Sequence, residues 1–191
     1  MIRQIILAST SPRRKQLVEL MSIKFKAVDP GYEEVTLPGV PHEKMVKLLA
    51  LGKAQAAAKK YPNAIIVAAD TMVSFNGKVI GKPKDKKEAA EMLRSFSGKP
   101  QTIISALAIL DAKTKKVFCE AEKFKAVFKK LSSKDISNYI ATGEGVDRAG
   151  AYAFQGIGFN LIARMEGDFT TAVGLPMGLL YNGLKKFGVK F

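Results

Sequence analysis

Apolar positions along the chain fall into short continuous runs separated by stretches with helical spacing, which predicts strands alternating with helices. Gln4 to Ser9, led by Ile5, Ile6 and Leu7, reads as a buried first strand. Ser11 followed by Pro12 predicts an N-cap and a helix reaching about Met21, with Leu17, Leu20 and Met21 turned inward. A second strand is expected over Phe25 to Val28, closed by Asp29-Pro30-Gly31. A longer helix runs from about Glu43 to Lys60 with Met45, Leu48 and Leu49 on one face. Ala64 to Ala69 is wholly apolar and ends at Asp70, which suits a strand covered on both faces.

The second half continues in the same way. Met72 to Ile80 predicts a hairpin, because Asn76-Gly77 is a strong two-residue turn signal. A short helix follows, with Asp85 and Glu88 spaced as a capping box. Thr102 to Leu110 and Lys116 to Phe128 form a strand pair joined at Asp111 to Lys115. The alternation Val117, Cys119, Ala121 slips parity to Phe124, Ala126, Phe128, which predicts a bulge. Ser132 or Ser133 caps a helix through Thr142, and Gly143 to Gly158 reads as a glycine-rich loop. A last strand (Asn160 to Met165) and a last helix (about Pro176 to Lys186) complete an α/β protein. No internal repeat, low-complexity tract or linker interrupts it.

At 191 residues the chain is expected to form a single domain over 1–191, or one domain split into two lobes by a cleft. A hydrophobic share of 47% excludes a disordered chain. The longest apolar runs fall well short of the roughly 18 residues of a membrane-spanning helix. Ile5 to Ala8 is too short for a signal peptide, and the lone Cys119 allows no internal disulfide and no Cys/His zinc site. These features read as a reduced, cytoplasmic protein. The net charge of +14 points to a polyanionic partner. The lysines are scattered in pairs such as Lys59-Lys60 and Lys129-Lys130, without a long basic run or interleaved aromatics, so nucleic acid is not expected as the primary partner. His42 reads as a capping or surface residue, and Cys119 as a core-facing one.

Ser9-Thr10-Ser11-Pro12-Arg13-Arg14-Lys15 carries the most local chemistry. Cations in the first turn of a helix oppose its dipole, at a cost of roughly 0.3 to 1 kcal/mol each at exposed sites. The segment therefore reads either as a solvated basic turn or as a site where helix N–H groups, serine hydroxyls and guanidinium forks converge on phosphate. It lacks the glycines of a P-loop. Asp70 ends an apolar strand, and such ends face the ligand crevice of open α/β sheets. Glu33, Glu34 and Lys82 offer further charges that also fit ordinary loop or surface roles. A phosphate site beside carboxylates is how Mg²⁺ is commonly held.

Together these segments resemble the Maf family of nucleotide pyrophosphatases. The matching strings are Leu7-Ala8-Ser9-Thr10-Ser11-Pro12-Arg13-Arg14, Ala69-Asp70-Thr71, Gly81-Lys82-Pro83, Ser97-Gly98 and Gly143-Glu144. Ala149 to Gly156 and Val173-Gly174-Leu175-Pro176 follow in order. The resemblance implies a Maf/ITPase-like α/β fold: a long mixed β-sheet with helices packed around it, and two lobes flanking a nucleotide-binding cleft. Family members are often dimeric, so a homodimer is implied. The implied reaction uses a divalent metal ion (Mg²⁺ or Mn²⁺) to cleave a nucleoside triphosphate between the α and β phosphates. By position, Asp70 would be general base and metal ligand, and Glu34 a second metal ligand. Ser9, Arg13, Arg14, Lys53 and Lys82 would hold the triphosphate. Thr71 and Gln155, with Arg13, mark the subgroup; Asp70-Thr71 and Ala151-Tyr152-Ala153-Phe154-Gln155-Gly156 resemble the dTTP/UTP branch more than the 7-methyl-GTP branch. Gln155 can match the O4 and N3–H edge of a pyrimidine. Gln101, Thr171 and Gly145-Val146-Asp147 depart from the usual pattern and bear on base preference. Other readings are the same reaction on CTP, 5-modified UTP or 7-methyl-GTP, and a nucleic-acid-binding or division-associated (septum inhibition) regulator with a vestigial site.

Overall fold

The computed structural model describes residues 3–35 and 37–191. In chain order its elements are β1 (Ile5–Ala8), α1 (Pro12–Glu19), β2 (Phe25–Val28), α2 (His42–Lys60), β3 (Ile65–Phe75), β4 (Lys78–Ile80), α3 (Lys86–Phe96), β5 (Pro100–Asp111) and β6 (Val117–Phe128). Then come α4 (Ser133–Ala141), two short 3₁₀ turns (Ala149–Ala151 and Ile157–Leu161), β7 (Ile162–Glu166), α5 (Phe169–Val173) and α6 (Met177–Lys186). The strands make one mixed sheet in the order β2-β1-β3-β5-β6-β7, with β4 paired to the far half of β3. β2, β1 and β3 are parallel; the other pairings are antiparallel.

Local chemistry accounts for most boundaries. Ser11 caps α1 by accepting the Arg14 N–H, with Pro12 in the first helical position. Asn76 and Gly77 both take positive φ, +49° and +75°, the primed turn that follows the twist of a hairpin. Asp85 caps α3, but the box is one-sided: the Glu88 carboxylate accepts the Lys84 N–H at 2.6 Å instead of returning to Asp85. The reciprocal box forms at Ser132 and Asp135.

Successive strand residues face opposite sides of the sheet. On one side α2 lies over Ile6, Ile66, Ala68, Ala106 and Ala108, and its own Ala50, Ala54 and Ala57 let it approach closely. On the other side two clusters share the surface. Helices α1 and α6 cover Leu7, Val67, Leu107 and Ile109, while α3 and α4 cover Val73, Ile103, Phe124 and Phe128.

This division corrects the expected bulge within Val117 to Phe128. The β5–β6 register is unbroken from Pro100↔Val127 to Leu110↔Val117. The parity slip in the sequence arises because Cys119 and Ala121 pack toward α2, whereas Phe124, Ala126 and Phe128 pack on the opposite side. The irregularity lies at Val127/Phe128, against β7. Two inward assignments also change. α1 stops at Glu19, so Leu20 caps its end at 75% exposure, and Leu48 falls outside the buried row Met45, Val46, Leu49, Ala50 of α2. β3 continues past Ala69 to Phe75, and α5 has only five residues, too few for periodicity to reveal.

Phe96 is the hub of the α3 side, buried and stacked edge-on against Phe75 at 5.0 Å, with Phe128 at 5.6 Å and Tyr152 at 6.5 Å. Phe96→Ala is expected to cost about 3–5 kcal/mol, read as a lowered urea midpoint at unchanged m-value.

Candidate active site

β1 pairs with β3 only at Ile65, Ile66 and Val67, and β4 joins only from Val73 onward. Among the described residues, positions 68–72 of β3 thus have β5 on one side and no strand on the other. Asp70 and Thr71 stand in this gap, Asp70 toward α2 and Thr71 toward α1 and α5. A cleft of about 410 Å³ opens there and is lined by both.

On the α2 side, Lys53 and Asp70 are both buried. The Lys53 ammonium lies 2.6 Å from Asp70 Oδ1 and 2.5 Å from Glu34 Oε1. Glu34 reaches this point because the preceding loop is seated on the helix. The Tyr32 ring rests over Gly52, where a Cβ would stand 2.4 Å from the ring. Only glycine permits that approach. Burial, reinforced by the Glu34 charge, pushes the Asp70 carboxyl above its ordinary value, against the opposing pull of Lys53 and Arg14.

On the other side Arg14 is aimed by three partners. It donates through Nε to the Gly174 carbonyl at 2.8 Å, through Nη2 to Thr71 Oγ1 at 3.2 Å and through Nη1 to Ser9 Oγ at 3.5 Å. Gly174 ends α5 at φ +111°, and a Cβ there would stand 3.2 Å from Thr71 Oγ1. Behind Thr71, the Ser105 hydroxyl lies at 2.8 Å and itself donates to the Thr171 carbonyl at 2.7 Å. Burial lowers the Arg14 guanidinium from its usual value, countered by Asp70 and then Glu34. Each terminal nitrogen carries two N–H groups, so the guanidinium keeps donors beyond these contacts.

Of the residues expected from sequence, Arg13, Arg14, Glu34, Lys53, Asp70, Thr71, Lys82 and Gln155 all line the one cleft. Ser9 is buried beside it and reaches it through Arg14. Lys82 is placed by a tether between the Gly150 N–H and the Gly81 carbonyl at 2.9 Å. Lys15 points away and pairs with Glu19, and Glu33 does not reach the lining. Sequence reasoning assigned no role to Arg148, Tyr152 and Gly174, which also line the cleft. Tyr152 and Gly174 lie within the matching strings Ala149 to Gly156 and Val173 to Pro176, and Arg148 directly precedes the first of these. The lining holds five cations (Arg13, Arg14, Lys53, Lys82, Arg148) against three carboxylates (Glu34, Asp70, Asp147). Glu34 and Asp70, which share the Lys53 ammonium, are a donor pair that could hold a hard cation jointly with ligand oxygens.

A mixed sheet with a gap beside its central strand β3, beneath a cation-lined cleft, defines an α/β protein with an anion-binding crevice. More particularly, the chain belongs to the Maf-like protein family, whose model matches residues 4–187. It is 42% identical to a dTTP/UTP pyrophosphatase of Pelotomaculum thermopropionicum, over 98% of each chain. It is 40% identical to the dTTP/UTP pyrophosphatase of Bacillus velezensis, over the full length of both. In structure it is similar to the Staphylococcus aureus Ham1 protein (TM-score 0.57, 13% identity, 96% of this chain and 99% of that one). A HAM1 protein from Coxiella burnetii gives a TM-score of 0.54 at 12% identity, over 97% of this chain and 100% of that one. Among the described residues, no helix is long and apolar enough to cross a membrane.

The raised Asp70 carboxyl has a stability consequence. A carboxyl whose folded-state pKa exceeds its unfolded one favours the fold when protonated, and that contribution is lost as pH rises through the folded value. At pH 8 the ionised Asp70 therefore weighs against folding. Asp70→Asn is expected to match or exceed the wild-type urea midpoint at pH 8, its advantage shrinking as pH falls toward the ordinary carboxylate range. A clearly lower midpoint at pH 8 would mean that the Lys53 contact outweighs the burial cost.

Proposed function

We propose that the chain hydrolyses pyrimidine nucleoside triphosphates, dTTP and UTP first and CTP or 5-modified UTP as congeners, to the monophosphate and pyrophosphate. One observation carries the reading: a buried carboxylate of raised proton affinity, Asp70, lines the same cleft as Arg13, Arg14 and Lys82 at a gap in the sheet. The names of the curated relatives support the substrate class.

In this reading water attacks the α-phosphorus, the bond to the bridging oxygen breaks, and pyrophosphate leaves with that oxygen. Asp70 takes the water's proton. Lys53 occupies Oδ1, so Oδ2 is the accepting atom. Raised proton affinity moves a carboxylate toward the range where a general base is effective. Arg13, Arg14 and Lys82 neutralise the triphosphate, which is the main requirement of phosphoryl chemistry. Ser9 and Thr71 act through Arg14, whose guanidinium they hold. Lys53, buried between Glu34 and Asp70, fixes both carboxylates. Those two would hold a divalent cation, Mg²⁺ or Mn²⁺, which when bound supplies further charge neutralisation at the phosphates. Gln155, exposed on the cleft wall, presents an amide to the pyrimidine edge. The whole chain, 1–191, serves as one catalytic unit on the cytoplasmic nucleotide pool.

The test is pyrophosphate release from UTP, dTTP, CTP, 5-methyl-UTP, GTP, 7-methyl-GTP and ITP with Mg²⁺ or Mn²⁺, beside Asp70→Asn. Turnover of UTP and dTTP well above the purines, lost in Asp70→Asn, is the expected result. Preference for 7-methyl-GTP overturns the base assignment, and no turnover with either metal overturns the reaction. The pH profile is a separate check. kcat/KM should fall as pH drops through a value above the roughly 3.9 of an ordinary aspartate. An acid limb at that ordinary value would contradict the role given to a buried Asp70.

A further inference from the structure

Gln155 is suspended between two anchors. On its N-terminal side Phe154 is buried edge-on against Tyr152 at 5.1 Å and Phe124 at 5.3 Å. On its C-terminal side the chain turns through Gly156 at φ +102° and ψ −149°, a conformation open essentially to glycine alone. This turn closes on one carboxylate. Glu144 Oε1 accepts the Ile157 N–H at 2.8 Å, and Oε2 accepts the Gly158 N–H at 2.7 Å. A Cβ on Gly156 would stand 1.9 Å from Oε1, so the missing side chain is what lets the carboxylate lie against the turn. From α4, the Tyr139 hydroxyl completes the clamp by accepting the Ala153 N–H at 3.2 Å. Burial, with the Glu144 charge, pushes that hydroxyl above its ordinary value and keeps it protonated.

Glu144 itself does not line the cleft. We propose that Glu144 is the positioning residue of base recognition: its two oxygens capture two consecutive amides and thereby hold the Gln155 amide at the cleft wall. The inference rests on the pyrimidine-triphosphate reading above. Only a carboxylate serves both amides, because a glutamine in its place accepts from one N–H and turns its own NH₂ toward the other.

Wild type, Glu144→Gln, Gln155→Ala and the double variant are compared for KM and kcat with dTTP. Alongside is the Ki of inorganic tripolyphosphate, which fills the phosphate positions without a base. Glu144→Gln is expected to raise KM roughly 10-fold with kcat little changed, the pattern of binding lost away from the reacting phosphorus. The tripolyphosphate Ki stays at the wild-type value. The double variant loses no more than Gln155→Ala alone, because both act through one contact. Glu144→Asp, which keeps both oxygens, raises KM less than Glu144→Gln does. An unchanged KM in Glu144→Gln, additive losses in the double variant, or a parallel rise in the tripolyphosphate Ki overturns the inference. Gly156→Ala drives a methyl group into Oε1 and should reproduce the KM effect; it carries the test if Glu144→Gln does not fold. Absence of dTTP and UTP turnover in the wild-type protein overturns the parent reading instead, so the two failures are told apart.

Discussion

The Lys53 ammonium, buried between Asp70 and Glu34, is the contact on which the rest of the site depends. A charge removed from water must be paired, and Lys53 meets two carboxylates rather than one. Here the three members come from α2, β3 and the loop after β2, so the pairing requirement fixes those elements relative to one another. The small residues of α2 make the arrangement possible. Ala50 and Ala54 bring the helix down on the sheet, and Gly52 admits Tyr32 beside Lys53. The same burial that makes the pair costly gives Asp70 its raised proton affinity.

The gap in β3 turns a simple alternation into a two-sided device. Asp70 and Thr71 are neighbours in sequence and so point to opposite faces, one toward the carboxylate–lysine cluster and the other toward Arg14. A slip of one residue would exchange them. The continuous β3–β5 register from Ile65↔Asp111 to Ser74↔Thr102 prevents that slip.

Much of this was legible in the sequence, for physical reasons that differ by element. β1, the Asn76-Gly77 turn and the Ser11-Pro12 cap follow from local preferences, and the structure keeps them. The motif strings contain Arg14, Asp70, Lys82 and Gln155, and the structure brings these four to one cleft. What stayed hidden was relational. Nothing local in Val117 to Phe128 says that the covered side changes partway along a regular strand. The exposure of Leu20 turns on where α1 stops, at Glu19 rather than at about Met21 as its apolar spacing suggests. The roles of Gly174 and Glu144 are set by partners elsewhere: Arg14 for one, the Gly156 turn for the other.

The bond between Arg14 and the Gly174 carbonyl joins residues 160 positions apart. The central strands β3, β5 and β6 span residues 65–128, and their pairings close loops far shorter than that one. The guanidinium, by contrast, finds its carbonyl only when the last segment packs beneath α1. A growing chain that has already made Arg14, Lys53, Asp70, Lys82 and Gln155 still lacks the acceptor that directs Arg14. The two walls of the cleft are therefore joined across the longest loop that Arg14 closes, so direction of the guanidinium waits on the packing of α5.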